Sequence, residues 1–331
     1  MLNLITDVEG ILVGNAEDKH IASGVTAVLF DTPAVASVRI GGGAPGSRDV
    51  SLLECDMTVQ AVHAIVLSGG SAFGLDAAGG VQAVLRTMGR GFPVHDIRIP
   101  IVPQAIVFDL LNGGDKNWGE TAPYWALGQQ AARNAASSFS LGTTGGGYGA
   151  TTANLKGGLG SASAKTATGH TVGALVIVNA IGSATIGDTG HFWAAPYERS
   201  KEFGGLGFPA DIPESVLKLR IKGDQPATTI ALVATDAILT KAESRRLAIM
   251  ADDGLARAIR PAHAPMDGDT VFAAATCRRP LTDPMRDLTE LGQVAADCLA
   301  RAIARGVFEA TALPLPNALP SWKGAFGAPK Q

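Results

Sequence analysis

Thr228 stands where a loop meets a strand. A charged, proline-containing turn, Lys222 to Pro226, runs without a spacer into Thr228 and Thr229 and then into the apolar stretch Ile230 to Ala234, which reads as a buried strand. A hydroxyl on the first residue of a strand is held by a rigid element, yet it adjoins a loop that can be cut. Scission of the Ala227–Thr228 bond would give Thr228 a free α-amine. Such an amine titrates near neutrality, so nucleophile and general base would then belong to one residue. β-Propensity alone also places threonines at strand starts, so this stretch needs support from others.

Three further groups could take part in such chemistry. Lys156 lies in the densest glycine cluster of the chain, Leu141 to Gly169, and is followed by Gly157 and Gly158. It is either an ordinary loop lysine or, with so little bulk beside it, one aimed into a cleft. Asn179 ends the strongly apolar run Thr171 to Gly182, where its amide serves either a turn or an oxyanion. Asp267 and Asp269 flank Gly268 before the strand-like segment ending at Thr276. The twelve-residue ligand series of a calcium loop is missing around them, so they read as a turn.

The elements that must carry these groups alternate between strand and helix patterns. Gly10 to Val13, Gly24 to Phe30 and Ala34 to Ile40, with β-branched alternation punctuated by Asp, Pro and Gly, read as adjacent strands of a meander. The loop Gly41 to Asp49, GGGAPGSRD, is either a connector or a wall of the active cleft. A strand at Ala64 to Leu67 then enters SGGS and a helix expected to turn Phe73, Leu75, Ala78, Val81, Val84 and Leu85 toward the core. Without GxGxxG spacing or a GxxxxGK lysine, that turn reads as helix-on-sheet packing in preference to a phosphate cradle. A strand ending at Asp109 and an alanine-rich helix from Thr121 to Ser138 follow. Helices are also expected over Leu239 to Ile259, with a capping box from Thr240 to Glu243, and over Asp287 to Arg305. The proline-rich tail, Leu313 to Gln331, reads as an extended arm.

Composition narrows the class. The chain has 331 residues, 46% of them apolar, so it can bury a large core without staples, and disorder is excluded. Its net charge of −3 and the absence of a basic stripe point away from nucleic acid. Cys55, Cys277 and Cys298 have neither the number nor the spacing of a disulfide framework or a zinc site and read as reduced core thiols. With no signal-like start and no run of eighteen apolar residues, the expectation is a soluble, cytoplasmic protein with no membrane partner.

In combination, ITDVEGILVG, GGGAPGSRD, VHAIVLSGGSAFGLDAAGGV, IPIVPQAIVFDL, LKGGLGSASA, LVIVNAIG, ATTIALVATD and HAPMDGDTVFA resemble, in order from Ile5 to Thr276, the DmpA-type family of self-processing hydrolases. That family comprises DmpA-type aminopeptidases, β-aminopeptidases and nylon-oligomer endo-hydrolases. The resemblance implies a single α/β domain, a four-layer αββα sandwich also related to ornithine acetyltransferase. It further implies a precursor that divides into residues 1–227 and 228–331, and a homotetramer of the processed units. Thr228 becomes the N-terminal nucleophile, Lys156 the lysine beside it, Asn179 the oxyanion donor, and Asp267 and Asp269 the supporting acids. The substrate is a small peptide or peptide-like amide, and the chemistry requires no metal or organic cofactor.

Three places depart from the family pattern, the first being Ala227, where many members carry Asn or Gly before the nucleophile. Gln104 and Ala105 stand where β-aminopeptidase-like members carry an acid that grips the substrate amine, so Asp109, Asp115 or Glu120 would have to supply that charge. Phe108 replaces the tyrosine that nylon hydrolases show before the matching aspartate. Phe108, Asp109, Gln104 and Glu120 are therefore the candidate substrate contacts. Two other readings are compatible with the sequence: an acyltransferase like ornithine acetyltransferase, which frees a threonine from an Ala-Thr bond, and a non-catalytic binding protein with a degenerate site.

Overall fold

The structure is a computed structural model that describes residues 1–223 and 226–327; Asp224 and Gln225 of the turn before Thr228, and the last four residues of the tail, lie outside the described residues. In chain order its elements are β1 (Ile11–Asp18), β2 (Ser23–Ile40), β3 (Ser47–Arg48), β4 (Ala61–Ser68), α1 (Ala77–Thr87), β5 (Phe92–Val94), β6 (Ile97–Ile99), β7 (Gln104–Ile106) and α2 (Tyr124–Arg133). There follow β8 (Gly158–Lys165), β9 (Thr171–Asn179), β10 (Thr228–Ala237), α3 (Lys241–Ala258), β11 (Thr270–Arg279), α4 (Pro284–Phe308) and α5 (Trp322–Phe326). Hydrogen bonds link the strands in the order β3-β7-β4-β2-β11-β10-β9-β8, with β1 on β2, while β5 and β6 form a separate hairpin.

The three largest apolar cores among the described residues define four layers. One lies between α1/α2 and the strands β2 and β4, with Val25, Ala27, Leu29, Val66 and Val81. A second lies between the two halves of the strand order, joined through β2 and facing each other as two sheets, where Val28, Phe30 and Ile65 meet Leu175, Ile177, Ile230, Leu232 and Phe272. The third packs Val176, Val178, Ala231 and Val233 under α3 and α4 through Leu247, Leu255, Leu299 and Ile303. This is the expected αββα sandwich. The period-two alternation of β9 and β10 splits their side chains between the last two cores, which is why both read as continuously apolar and are buried throughout.

Several elements differ from the sequence reading for identifiable reasons. The two strands expected at Gly24–Phe30 and Ala34–Ile40 are one 18-residue strand. Its first half pairs with β4 and its second with β11, and the register against β4 shifts between Leu29 and Ala34, where Pro33, lacking an N–H, is accommodated. Gly158–Lys165 of the glycine cluster is the strand β8, buried but for its last residue: a Cβ on Gly160 would lie 1.9 Å from the Ala302 carbonyl oxygen of α4, so glycine is what lets that helix close on the sheet. Phe73 is 52% exposed, because SGGS leads into a 3₁₀ turn before α1 begins. Cys298 alone is buried; Cys277 is half-buried and Cys55 exposed. The tail is anchored rather than extended, since Trp322 is 1% exposed, stacks 5.8 Å from Phe192 and donates its indole N–H to the Gly190 carbonyl at 3.0 Å.

No helix among the described residues is long and apolar enough to cross a membrane.

Candidate functional site

Chain geometry brings the chemistry to one end of the paired sheets. β10 begins at Thr228 and runs antiparallel to β9 with Thr228 opposite Asn179. By strand alternation Thr228 shares the side of Ile230 and Leu232, and Asn179 that of Ile177 and Leu175, so both belong to the face between the two sheets. Thr229 and Asp269 belong by the same alternation to the opposite, helix-covered face.

The bond before Thr228 is held from two sides. Thr228 is 4% exposed, and its hydroxyl donates to the carbonyl oxygen of the preceding Ala227. That oxygen also accepts the main-chain N–H of Gly268 at 3.0 Å. Ala227 forms a parallel bridge with Asp267, and Thr229 N–H donates to Asp269 Oδ1 at 2.8 Å, so the acid loop grips the chain on both sides of Thr228. Gly268 is small for a reason: a Cβ there would lie 2.7 Å from Thr228 Oγ1. Burial, then the neighbouring Asp269, pushes the Asp267 pKa well up, and its Oδ2 is buried without a hydrogen bond among the described residues.

On the inter-sheet side a cavity of about 490 Å³ opens, lined by Phe108, Asp109, Lys156, Asn179, Lys222 and the tail segment Pro316–Leu319. Asn179 Nδ2 donates to the Phe108 carbonyl at 3.0 Å, and its Oδ1 accepts the Thr151 N–H at 3.0 Å and Lys222 Nζ at 2.8 Å. One amide hydrogen of Asn179 is thus left without a partner among the described residues. Lys156, 1% exposed, donates to the carbonyls of Gly147, Ala150 and Gly157 at 3.0, 2.7 and 2.8 Å. Those three carbonyls match the three donors of an ammonium and tie the glycine cluster around it. Burial acts the other way and brings the Lys156 pKa down to about 7. No hydrogen bond joins Lys156 to Thr228 among the described residues.

Asp109 is the buried acid of this cavity. Its carboxylate accepts Ser23 Oγ at 2.6 Å and the Gly70 N–H at 2.7 Å, and Tyr124 backs Ser23 at 3.1 Å. Glycine makes the space, since a Cβ at Gly69 would lie 2.2 Å from Asp109 Oδ2. The Gly70 amide of the SGGS turn is therefore committed to a carboxylate. Burial raises the Asp109 pKa against the pull of Lys116 and Lys222. Gln104 is buried in β7 and fully engaged, donating to Ser68 Oγ and the Gly74 carbonyl and accepting from the Ala78 N–H. Neither it nor the exposed Glu120 lines the cavity.

Sequence reading did not single out Lys222, Gly268 or His263. Lys222 was visible only as part of a charged turn, yet burial lowers its pKa to about 8 and it holds the Asn179 carboxamide. Gly268 contributes a main-chain donor, which no side chain announces. His263 lies 2.9 Å from Asp269 through Nδ1. The loop GGGAPGSRD proves to be a clamp on the acid loop: Gly41 and Gly42 N–H groups donate to the Asp269 carbonyl, and Ala44 N–H to that of Asp267. Among the described residues no group of His, Cys, Asp and Glu is arranged to hold a metal.

Comparison with known proteins places this architecture. The family model described as peptidase family S58 matches residues 3–318. An uncharacterized aminopeptidase of Mycobacterium bovis is 41% identical over 350 residues, covering 99% of this chain and all of the relative. A 6-aminohexanoate-oligomer endohydrolase of Kocuria is 26% identical over 284 residues, covering 82% of this chain and 74% of that one. Among solved structures, a Burkholderia β-aminopeptidase aligns with a TM-score of 0.71 at 22% identity, covering 98% of this chain and 92% of its own. The L-aminopeptidase D-Ala-esterase/amidase of Ochrobactrum anthropi, a variant of the Ntn hydrolase fold, aligns with a TM-score of 0.68 at 21% identity, covering 97% and 90%.

Proposed function

The chain belongs to peptidase family S58, and from that premise we propose that it is an amidohydrolase of the aminopeptidase type whose nucleophile, Thr228, is released by self-cleavage of the Ala227–Thr228 bond. The observation that carries this reading is the doubly engaged Ala227 carbonyl, with the Thr228 hydroxyl packed on it and the Gly268 N–H directed at its oxygen.

In the uncut chain Thr228 Oγ attacks the Ala227 carbonyl carbon, and the Gly268 N–H stabilises the oxyanion as it develops. The C–N bond breaks, the hydroxyl proton passes to the departing Thr228 nitrogen, and an ester links Ala227 to Oγ. Water then hydrolyses the ester, leaving a carboxylate on Ala227 and a free α-amine on Thr228. Asp267 and Asp269 hold the two flanking peptide units in place throughout.

In the cut enzyme the same hydroxyl attacks a substrate amide, and the new α-amine takes its proton. Asn179, opposite Thr228 in the sheet and with an amide hydrogen to spare, serves the oxyanion from the cavity side. Lys156 orders the loop that forms the cavity wall and sets its potential. The substrate acyl group occupies the cavity, and Asp109 answers a substrate ammonium there, the role that the fully engaged Gln104 is not placed to fill. In the uncut chain the Lys222 ammonium stands near this position.

The test is hydrolysis of small amino-acid amides by wild type, Thr228→Ala and Asp109→Asn. Thr228→Ala should release no amine. Asp109→Asn should show a raised KM for amides with a free amine and little change for their N-acetylated forms. Equal turnover by Thr228→Ala would refute the assignment of the nucleophile.

A further inference from the structure

On the helix-covered side of the sheet, the polar network does not end at Asp269. Its Oδ2 accepts the main-chain N–H of His263 at 2.9 Å, and the His263 ring Nδ1 lies 2.9 Å from the same oxygen. The other ring nitrogen, Nε2, lies 3.6 Å from Asp252 Oδ1 on α3, and Asp252 Oδ2 lies 3.5 Å from Arg39 Nε at the end of β2. One imidazole therefore lies within ion-pair reach of two carboxylates from different elements, and of these Asp269 holds the Thr229 amide.

The backbone is shaped to put the ring there. His263 sits at φ 57°, a left-handed conformation that few residues with a side chain adopt. Gly41 leaves the ring its room, since a Cβ at that position would lie 2.8 Å from His263 Nδ1. Gly42 packs directly on the acid loop, where a Cβ would lie 2.3 Å from the Asp267 carbonyl oxygen. The glycine loop, the ring and the acid loop thus form one stack, closed on the outside by α3.

We propose that His263, bridging Asp252 and Asp269, is a positioning residue for the self-cleavage: it fixes the Asp269 carboxylate on the Thr229 amide and so keeps Thr228 against the Ala227 carbonyl. This rests on the reading of Thr228 given above. The charge arithmetic is consistent with the geometry. Facing the ring are Asp252 from α3, Asp267 and Asp269 from the loop before β11, and Arg39 from β2 behind Asp252. The Asp269 contact, then the charges of the three acids, hold the imidazole pKa above its ordinary value in spite of burial. A raised histidine pKa favours the folded protonated form below the unfolded value of 6.5, and that contribution is lost as pH rises through the folded value. Self-cleavage should therefore slow on the alkaline side as the ring loses its proton and Asp269 its counter-charge.

Freshly folded wild type, His263→Gln and Asp252→Asn are followed for conversion of intact chain to two pieces across pH, with melting temperature as the check on folding. His263→Gln, which keeps a donor but no charge, should cut about tenfold to a hundredfold more slowly, the range that a displacement of about 1 Å costs an aligned reaction, and should lack the alkaline decline. Asp252→Asn should move that decline to lower pH. In the Thr228→Ala background, which cannot cut, the same substitution should lower the ring's titration midpoint seen by NMR, and this measurement decides the matter if His263→Gln does not fold. A wild type that divides beside an equally fast His263→Gln, or an Asp252→Asn that leaves both the decline and the ring titration unmoved, would overturn the proposal alone. A wild type that never divides would overturn the Thr228 reading and this proposal with it.

Discussion

Gly268→Ala tests the main-chain donor at the cleavage site through the tight packing of Gly268 against Thr228. The added methyl would lie 2.7 Å from Thr228 Oγ1, 2.8 Å from the Ala44 carbonyl oxygen and 3.0 Å from Thr228 Cγ2. The first two are closer than carbon tolerates and the third is tight, so the Gly268 peptide must move away from Thr228. Its N–H then leaves the Ala227 oxygen that it meets at 3.0 Å. Gly268 is not at positive φ, so alanine brings no backbone strain there and the whole effect comes from contact. Loss of one oxyanion donor costs about 10²–10³ in rate, whereas overpacking by a methyl costs about 1–3 kcal/mol. Against a typical total of about 5–15 kcal/mol, the second effect leaves the chain folded. The expected result is a chain with a cooperative melt that stays largely whole when wild type has already divided. A time course on denaturing gels, read beside the melting curve, makes the measurement. A folded Gly268→Ala that divides at the wild-type rate would refute the role of this donor.

Two further outcomes follow from buried groups. Because the folded Lys156 pKa is near 7 and the unfolded one is 10.5, the unfolded chain binds the extra proton between these values, and this residue makes folding more favourable as pH rises across that window. In the uncuttable Thr228→Ala background, calorimetry from about pH 7 to about pH 10 should show the alkaline gain in melting temperature flattened by Lys156→Met; an equally steep gain would contradict it. Trp322→Ala should cost about 3–5 kcal/mol in chemical denaturation, because it empties a site filled against Phe192, Phe308 and Phe326 and leaves the Gly190 carbonyl without its donor. A loss under about 1 kcal/mol would mean that the tail is not anchored there.

The parts of this fold that could be read from the sequence are those whose cause is local. The turn-to-strand junction at Thr228 and the end of an apolar run at Asn179 are both one-dimensional features, and antiparallel pairing turns them into neighbours. The capping box of Thr240 and Glu243 likewise carries its own hydrogen bonds, and α3 begins where it says. What was hidden depends on partners far away in sequence. β8 looks like loop because its glycines answer α4, well over a hundred residues later. β2 looks like two strands because Pro33 is tolerated only through a register shift against β4. At the site, side chains were legible and main-chain donors were not: Gly268 reads as turn chemistry until the Ala227 carbonyl is placed beside it. Lys222 and His263 have no local pattern that distinguishes them from any charged loop residue. Asp109 was visible as one acid among three, and only the fold separates it, buried on Ser23 and Gly70, from the exposed Asp115 and Glu120.

The most direct measurement is the intact mass of the purified protein, wild type beside Thr228→Ala, with N-terminal sequencing of whatever pieces appear. Fully active wild type should yield two chains, one ending at Ala227 and one whose first residue is Thr228, while Thr228→Ala remains a single inactive chain. Full amidase activity in a wild-type preparation that contains only the undivided chain beginning at Met1 would contradict the account.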